Sequence, residues 1–242
     1  MRPDINAMTE ADMTEADKAY AKLFQPFIAA DPSTSLVVAQ LGQSLDGRIA
    51  TSSGESKYIN GKAALAHLHR LRAHVDAVLV GAGTLVADDP QLTVRLCEGR
   101  NPARVVIDPT GRGIPAGKWL ANDGAARLAF SAGGQAPAAC DELIRIEAGT
   151  ARTFEPRQVI QALAKRGFHR ILVEGGSRVV SSFLDADALD RLHVLVAPMI
   201  IGSGRMGLEL APILHLSDAR RPAVTTFVFS DGDVLFDCNL RA

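Results

Sequence analysis

Four short stretches in this chain combine glycine, small hydroxyls and charged groups in the way that ligand-handling loops do. Ser44-Leu45-Asp46-Gly47-Arg48 follows an apolar run, and its Asp-Gly pair makes a tight turn that exposes charged groups. Ser53-Gly54-Glu55-Ser56-Lys57-Tyr58 is a polar loop, and Tyr58 either stacks on a flat ligand or covers the core. Gly81-Ala82-Gly83-Thr84 closes another apolar run, where glycine lets the backbone approach a phosphate or ribose and Thr84 offers a hydroxyl. It is followed by Asp88-Asp89-Pro90, which is a capped turn by default and a ribose binder otherwise. In Leu172-Val173-Glu174-Gly175-Gly176-Ser177 a strand passes through two glycines into a helix, so backbone N–H groups and the helix N-terminus suit a phosphate. Glu174 stands at the strand end, where a carboxylate can handle a proton. Arg72 and Arg95 are candidates for a substrate phosphate, because guanidinium forks match phosphate oxygens.

Other patterns argue against rival chemistries. Gly202-Ser203-Gly204-Arg205-Met206-Gly207 reads GxGxxG, but Pro212 interrupts the long helix that a dinucleotide fingerprint must open, so it reads as a glycine-rich loop near the active site. His67 and His69 are two apart on a predicted helix and cannot share a metal; the other histidines lack ligand spacing, and no metal is expected. The three cysteines form no CxxC pair and fit a reducing cytoplasm. With 26 basic against 27 acidic residues, the chain lacks the charge of a general nucleic-acid binder. No signal-peptide core or membrane-length apolar window is present, so a cytoplasmic location is expected.

The elements that must carry these groups read as alternating strands and helices. Strands are expected at Leu36–Leu41, Val75–Gly81, Arg104–Asp108, Arg127–Ser131, Leu143–Glu147, Arg170–Glu174 and Leu192–Pro198. Helices are expected at Gly61–Ala73, with Leu65, Leu68 and Leu71 as its apolar face, at Pro156–Arg166 and at Ser177–Leu184. Ala223–Phe229 and Val234–Leu240 read as a closing antiparallel pair. This order implies an α/β fold with a largely parallel sheet covered on both faces. Residues 1–33, with MTEAD repeated at Met8–Asp12 and Met13–Asp17 and an amphipathic run through Tyr20, Leu23, Phe24 and Phe27, read as an N-terminal helical extension on the surface of a domain spanning 34–242.

Taken in order, SLDGRIA at 44–50, SGESKYI at 53–59, VGAGTLVADDPQLTVR at 80–95 and VEGGS at 173–177 closely resemble the reductase domain of bifunctional riboflavin-biosynthesis proteins and the related stand-alone diaminopyrimidine ribosylamino phosphate reductases. The resemblance implies a dihydrofolate-reductase-like three-layer αβα sandwich and a homodimer. It also implies hydride transfer from NADPH to C1′ of a ribosylamino-pyrimidine 5′-phosphate, giving a ribityl chain. Carried over position by position, it makes Ser56, Arg72, Leu92, Arg95 and Glu174 substrate contacts. Gly42, Tyr58, Thr84, Asp88 and the run Gly176–Ser182 become cofactor contacts, with Gly175, Ser177, Arg178 and Val179 at the same junction. Arg178 and Arg205 are candidates for the 2′-phosphate of the cofactor. Glu174, then Asp46, are the expected proton-handling groups. The zinc signature of the family's deaminase half is absent from this sequence, so the amine should be retained. Tyr58 stands where the family usually has tryptophan. Gln40 stands where bifunctional members usually have a lysine near the ribosyl phosphate or C1′, which leaves the pyrimidine open and admits a pterin or related precursor. A nucleotide-binding paralogue without catalysis is the remaining alternative.

Overall fold

The computed structural model describes residues 15–149 and 152–242. Met8–Asp12 and the start of the second MTEAD repeat lie outside them. Nine strands form one sheet in the order β10-β11-β8-β1-β7-β3-β4-β5-β6. β1 (Leu36–Ser44), β3 (Ala77–Gly81), β4 (Ala103–Asp108), β5 (Arg127–Ser131), β6 (Glu142–Arg145), β7 (Arg170–Glu174) and β8 (Arg191–Ala197) run parallel, and β11 (Val234–Asn239) and β10 (Ala223–Val228) add an antiparallel edge. The expected architecture is therefore observed, with strand limits shifted by at most three residues. β7, late in sequence, inserts between β1 and β3, which creates the crevice at the carboxyl ends of these strands.

The central strands are buried on both sides, which is why they read as continuous apolar runs. Val37, Ala39, Leu79, Ile171 and Val173 face one layer, with Val159 and Leu163 of α5 (Pro156–Ala164) and Val180 and Phe183 of α6 (Ser177–Asp185). Val38, Val78, Val80 and Leu172 face the other, with Ala64 and Leu71 of α3 (Lys62–Ala73), Leu85 of α4 (Ala82–Asp88), Leu92 and Trp119. The N-terminal α1 (Glu15–Lys22) and α2 (Gln25–Ile28) join this second layer through Tyr20, Leu23, Phe24 and Phe27, all buried. An eight-residue helix is marginal alone; burying such side chains, at about 1.5–3 kcal/mol each, holds it.

Four expectations change. β1 continues through Gly42 and Gln43 to Ser44, because β8 pairs with it along that length. The segment Ala82–Asp88 is a helix, α4, rather than a bare turn. The GxGxxG stretch is not all loop: Gly204–Met206 is a strand, β9, paired antiparallel with β2 (Arg48–Thr51). There a Cβ at Gly204 would lie 2.1 Å from the Ala50 carbonyl oxygen, so the glycine serves strand approach. Finally, Leu65 of α3 is exposed, and the buried stripe is Ala64, His67 and Leu71, with His69 and Arg72 beside it. Polar residues turn inward because each finds a partner there.

His67 shows how. Tyr20 Oη lies 2.8 Å from His67 Nδ1, His67 Nε2 lies 3.0 Å from His193 Nδ1, and His193 Nε2 lies 3.2 Å from Asp237 Oδ1. Neutral Nε2–H rings suit this chain: the tyrosine hydroxyl donates to His67, His67 donates to His193, and His193 Nε2 stands beside the Asp237 carboxylate without the alignment of a hydrogen bond. Asp237 is also forked by Arg191. Burial pushes His67 well below the ordinary histidine range, and the neighbouring His193 and Arg70 add to this. Burial also lowers His193, outweighing the opposite pull of Asp237. The N-terminus of α3 has no side-chain cap of its own. Instead Asp233 accepts the Gly61 N–H at 2.7 Å and Asp231 the Ala63 N–H at 2.9 Å, both from the β10–β11 turn.

Two outcomes test this packing. Asp231→Ala should destabilise by about 1 kcal/mol, lowering Tm by about 2–4 °C, while Asp231→Asn, which keeps the acceptor, should lose less; equal losses would remove the capping role. The folded His67 pKa lies below the unfolded value near 6.5, so as pH falls through about 6.5 the unfolded chain gains a proton that the fold resists. Stability should therefore fall by about 2 kcal/mol per such histidine by pH 5. Thermal melts from pH 7 to 5 should slope less in His67→Gln than in the parent, and parallel profiles would contradict it.

Candidate active site

β7 ends at Glu174, and Gly175 (φ 67°) and Gly176 (φ 72°) then turn the chain into α6 through left-handed backbone that side chains resist. On the neighbouring strand, β3 runs directly into α4 at Gly81. The two junctions touch. A Cβ on Gly176 would lie 3.1 Å from Thr84 Oγ1, and one on Gly81 would lie 3.0 Å from the Val179 methyl. No side chain caps the start of α6, so the N–H groups of Ser177 and Arg178 face out from a narrow glycine cradle with the Thr84 hydroxyl beside it. That donor set fits a phosphate of a dinucleotide. Arg178 is exposed at the same turn, while Arg205 lies on β9 with its guanidinium 3.9 Å from where a Gly54 Cβ would sit.

The second group centres on α3 and β7. Arg72 donates Nε to Glu174 Oε1 at 2.7 Å and Nη2 to Oε2 at 2.6 Å, with both side chains over nine-tenths buried. Its Nη1 donates to the Thr93 carbonyl at 3.0 Å. Arg72, expected on a substrate phosphate, is thus committed to Glu174. Both Glu174 oxygens are acceptors in that fork, so in this geometry neither presents a proton. Gln40 is the β1 register partner of Glu174, which puts both side chains on one sheet face beside α3. Arg95 is exposed and gives Nη1 to Thr93 Oγ1 at 2.5 Å; no carboxylate pairs with it among the described residues. Partial burial and the Arg72 charge both lower its pKa, the mark of crowded positive charge seeking an anion.

The loop residues divide more finely than their sequence suggested. Ser56 donates to Asp88 at 3.1 Å, joining a predicted substrate contact to a predicted cofactor contact. Asp89, its neighbour, instead accepts the Lys118 N–H at 2.7 Å. Asp46 accepts the Ser44 hydroxyl at 2.6 Å and the N–H groups of Ile201 and Gly202 at 3.1 and 2.7 Å. These bonds, the serine's first, hold it down to about 2. Asp46 is therefore a clasp between the turn and the 200–202 loop, its carboxylate engaged in three hydrogen bonds. Leu92 has φ 57° and is buried in the core, only 1% exposed as a whole residue. Tyr58 (φ 67°) is 88% exposed. Gly42 sits beneath Asn60, whose Oδ1 would be 2.1 Å from a Cβ there, so any larger residue would have to displace the Asn60 side chain. Sequence reasoning missed Thr93, Asn60 and the role of His69, whose Nδ1 accepts the Arg95 N–H at 2.9 Å. Nothing in their spacing signals these partners.

Comparison with known proteins bears on the same residues. Residues 35–226 match the family described as the RibD C-terminal domain. Riboflavin biosynthesis protein RibD of Mycobacterium tuberculosis is 35% identical over 182 residues, 74% of this chain and 46% of that protein. The 2,5-diamino-6-ribosylamino-4(3H)-pyrimidinone 5′-phosphate reductase of Methanothermobacter thermautotrophicus is 36% identical over 173 residues, 69% of this chain and 79% of that enzyme. The crystal structure of a deaminase/5-amino-6-(5-phosphoribosylamino)uracil reductase from Thermotoga maritima superposes with a TM-score of 0.73 at 29% identity, over 93% of this chain and 62% of that one. The chain spans about half the length of the RibD proteins it matches, at 46%. The glycine cradle, the Arg72–Glu174 pair and the strands that bring them together all fall within the matched segment, and the chain belongs to the RibD C-terminal-domain family of riboflavin-biosynthesis pyrimidine reductases.

Proposed function

We propose that the protein reduces the ribosyl group of a ribosylamino-pyrimidine 5′-phosphate to ribityl, with NADPH as the reductant. The observation that carries this reading is the juxtaposition of Arg95, a cation without a carboxylate partner among the described residues, with the buried Arg72–Glu174 pair, at the same carboxyl end of the central strands as the Gly175–Gly176 cradle. Arg95 takes the substrate phosphate, while Ser177 and Arg178 N–H groups and Thr84 hold the cofactor, and Arg178 is the nearer candidate for its 2′-phosphate. Bound NADPH supplies the hydride. The substrate's C1′–O4′ bond opens as the N–H proton passes to O4′, leaving a C1′=N imine; C1′ then gains hydride and the nitrogen a proton. Once the substrate draws Arg72 aside, Glu174 relays the N–H proton to O4′ and then a solvent proton to the nitrogen, so that C1′ and nitrogen gain hydride and proton in balance. Gln40, beside Glu174, lies where it can hydrogen-bond the opened sugar without adding charge.

The 2,5-diaminopyrimidinone and the 5-aminouracil are the two substrates that the named relatives act on. The neutral Gln40 keeps both in play, and the amine that a deaminase would remove is retained only in the product of the 2,5-diaminopyrimidinone. A homodimer is also part of the proposal. β10 is an edge strand without a charged residue, and Ile200, Leu214, Leu216 and Val228 are more than 75% exposed close by in sequence; apolar edges of this kind ask for a partner. Among the described residues no helix is long and apolar enough to cross a membrane.

Turnover should be measured as loss of NADPH absorbance with each pyrimidine phosphate and with a dihydropterin, the product identified by mass. Oxidation with a pyrimidine phosphate is expected; none with either, despite tight NADPH binding, would indicate a non-catalytic paralogue. Glu174→Gln should cut kcat by about a hundredfold with KM little changed, and an unchanged kcat would remove Glu174 from proton handling. Arg95→Ala should raise KM by about ten- to a hundredfold while sparing kcat; the opposite split would move the phosphate elsewhere.

A further inference from the structure

We propose that His69, held as its neutral Nε2–H tautomer, is a positioning residue that fixes the backbone of Arg95 for anion binding. The proposal rests on reading Arg95 as the phosphate-binding group. His69 is fully buried on α3, three residues before Arg72 and hence on the same side of the helix. Its Nδ1 faces the Arg95 backbone N–H at 2.9 Å. An N–H only donates, so Nδ1 carries the lone pair, and the proton of a neutral ring must be on Nε2. A protonated ring would set two donors against each other and release Arg95. Burial, then the charges of Arg72 and Arg95, hold the ring's pKa down to about 4, so the contact persists at neutral pH.

The same three-residue stretch is held twice from α3. Arg72 takes the Thr93 carbonyl, and His69 takes the Arg95 N–H. Between them, Arg95 Nη1 closes onto Thr93 Oγ1. This is a splint: one helix secures alternate residues of the 93–95 segment by an acceptor and a donor. The Arg95 side chain then starts from a fixed Cα, and less conformational freedom remains to be lost on binding an anion. The His69 ring does so at a cost, because Nε2 is buried with no partner among the described residues, and an unpaired buried donor is destabilising. A residue serving only to fill space beneath the segment would not carry that penalty, since leucine would fill it without one.

The test compares His69→Leu, which removes the acceptor, with His69→Asn, whose Oδ1 falls near the place of Nδ1. With the ribosylamino-pyrimidine phosphate, His69→Leu should raise KM about five- to tenfold with kcat within about twofold, and His69→Asn should restore KM to within about threefold. Calorimetric affinity for ribose 5-phosphate carries the same comparison independently of turnover. Long-range ¹H–¹⁵N spectra should show His69 as the Nε2–H tautomer from pH 8 to 5. An Nδ1–H tautomer, unchanged affinities in His69→Leu, or equal impairment in both variants would each overturn the inference. An inactive parent enzyme would instead overturn the reductase reading, and the tautomer and ribose 5-phosphate affinities would still decide the role of His69.

Discussion

The buried fork between Arg72 and Glu174 is the interaction on which the site depends. It joins a helix to the end of the central strand β7, through two bonds of 2.6–2.7 Å with little solvent. Removing one partner of such a pair costs about 3–5 kcal/mol, because the other charge stays buried. That penalty sets how α3 lies on the sheet. It also explains why the helix buries His67 and Arg72 and leaves Leu65 in water. The rotation that satisfies the charge takes the polar residues inward, and their partners make this tolerable.

Once α3 is fixed by that pair, the surrounding polar groups follow. Its N-terminus is capped by Asp231 and Asp233 from the last hairpin, and its middle by the Tyr20–His67–His193 chain. The N-terminal helices, the C-terminal hairpin and the Arg72–Glu174 side of the crevice therefore meet on one helix. The glycine side is built differently. There the constraint is steric, with adjacent glycine junctions of β3 and β7 approaching each other too closely for side chains. One half of the crevice is organised by charge and the other by the absence of Cβ atoms.

How much of this could be read in advance differs by residue type. Gly175 and Gly176 announced a strand-to-helix junction because few residues other than glycine suit left-handed backbone there. Arg127–Ser131 and Arg170–Glu174 were readable to the residue because both faces of each strand are covered. The pair Asp88-Asp89 was not, since identical neighbours go to Ser56 and to Lys118, in loops far apart in sequence. Asp46 looked like a proton donor because an acid after a strand end is common to both roles; three hydrogen bonds from Ser44 and the 201–202 backbone make it a clasp.

The sequence by itself determined the alternation of elements, the two-sided burial of the sheet and the glycines where the backbone turns left-handed. Those properties depend on local periodicity, on φ preferences and on the lack of a side chain, all of which each residue carries with it. Only the tertiary structure decided which charge meets which: that Arg72 belongs to Glu174, that Arg95 has no carboxylate partner among the described residues, and that His69 holds it. Pairing across 102 residues for Arg72 and Glu174 is set by strand order and helix rotation. Coulombic and hydrogen-bond energies depend on distances that no local pattern encodes.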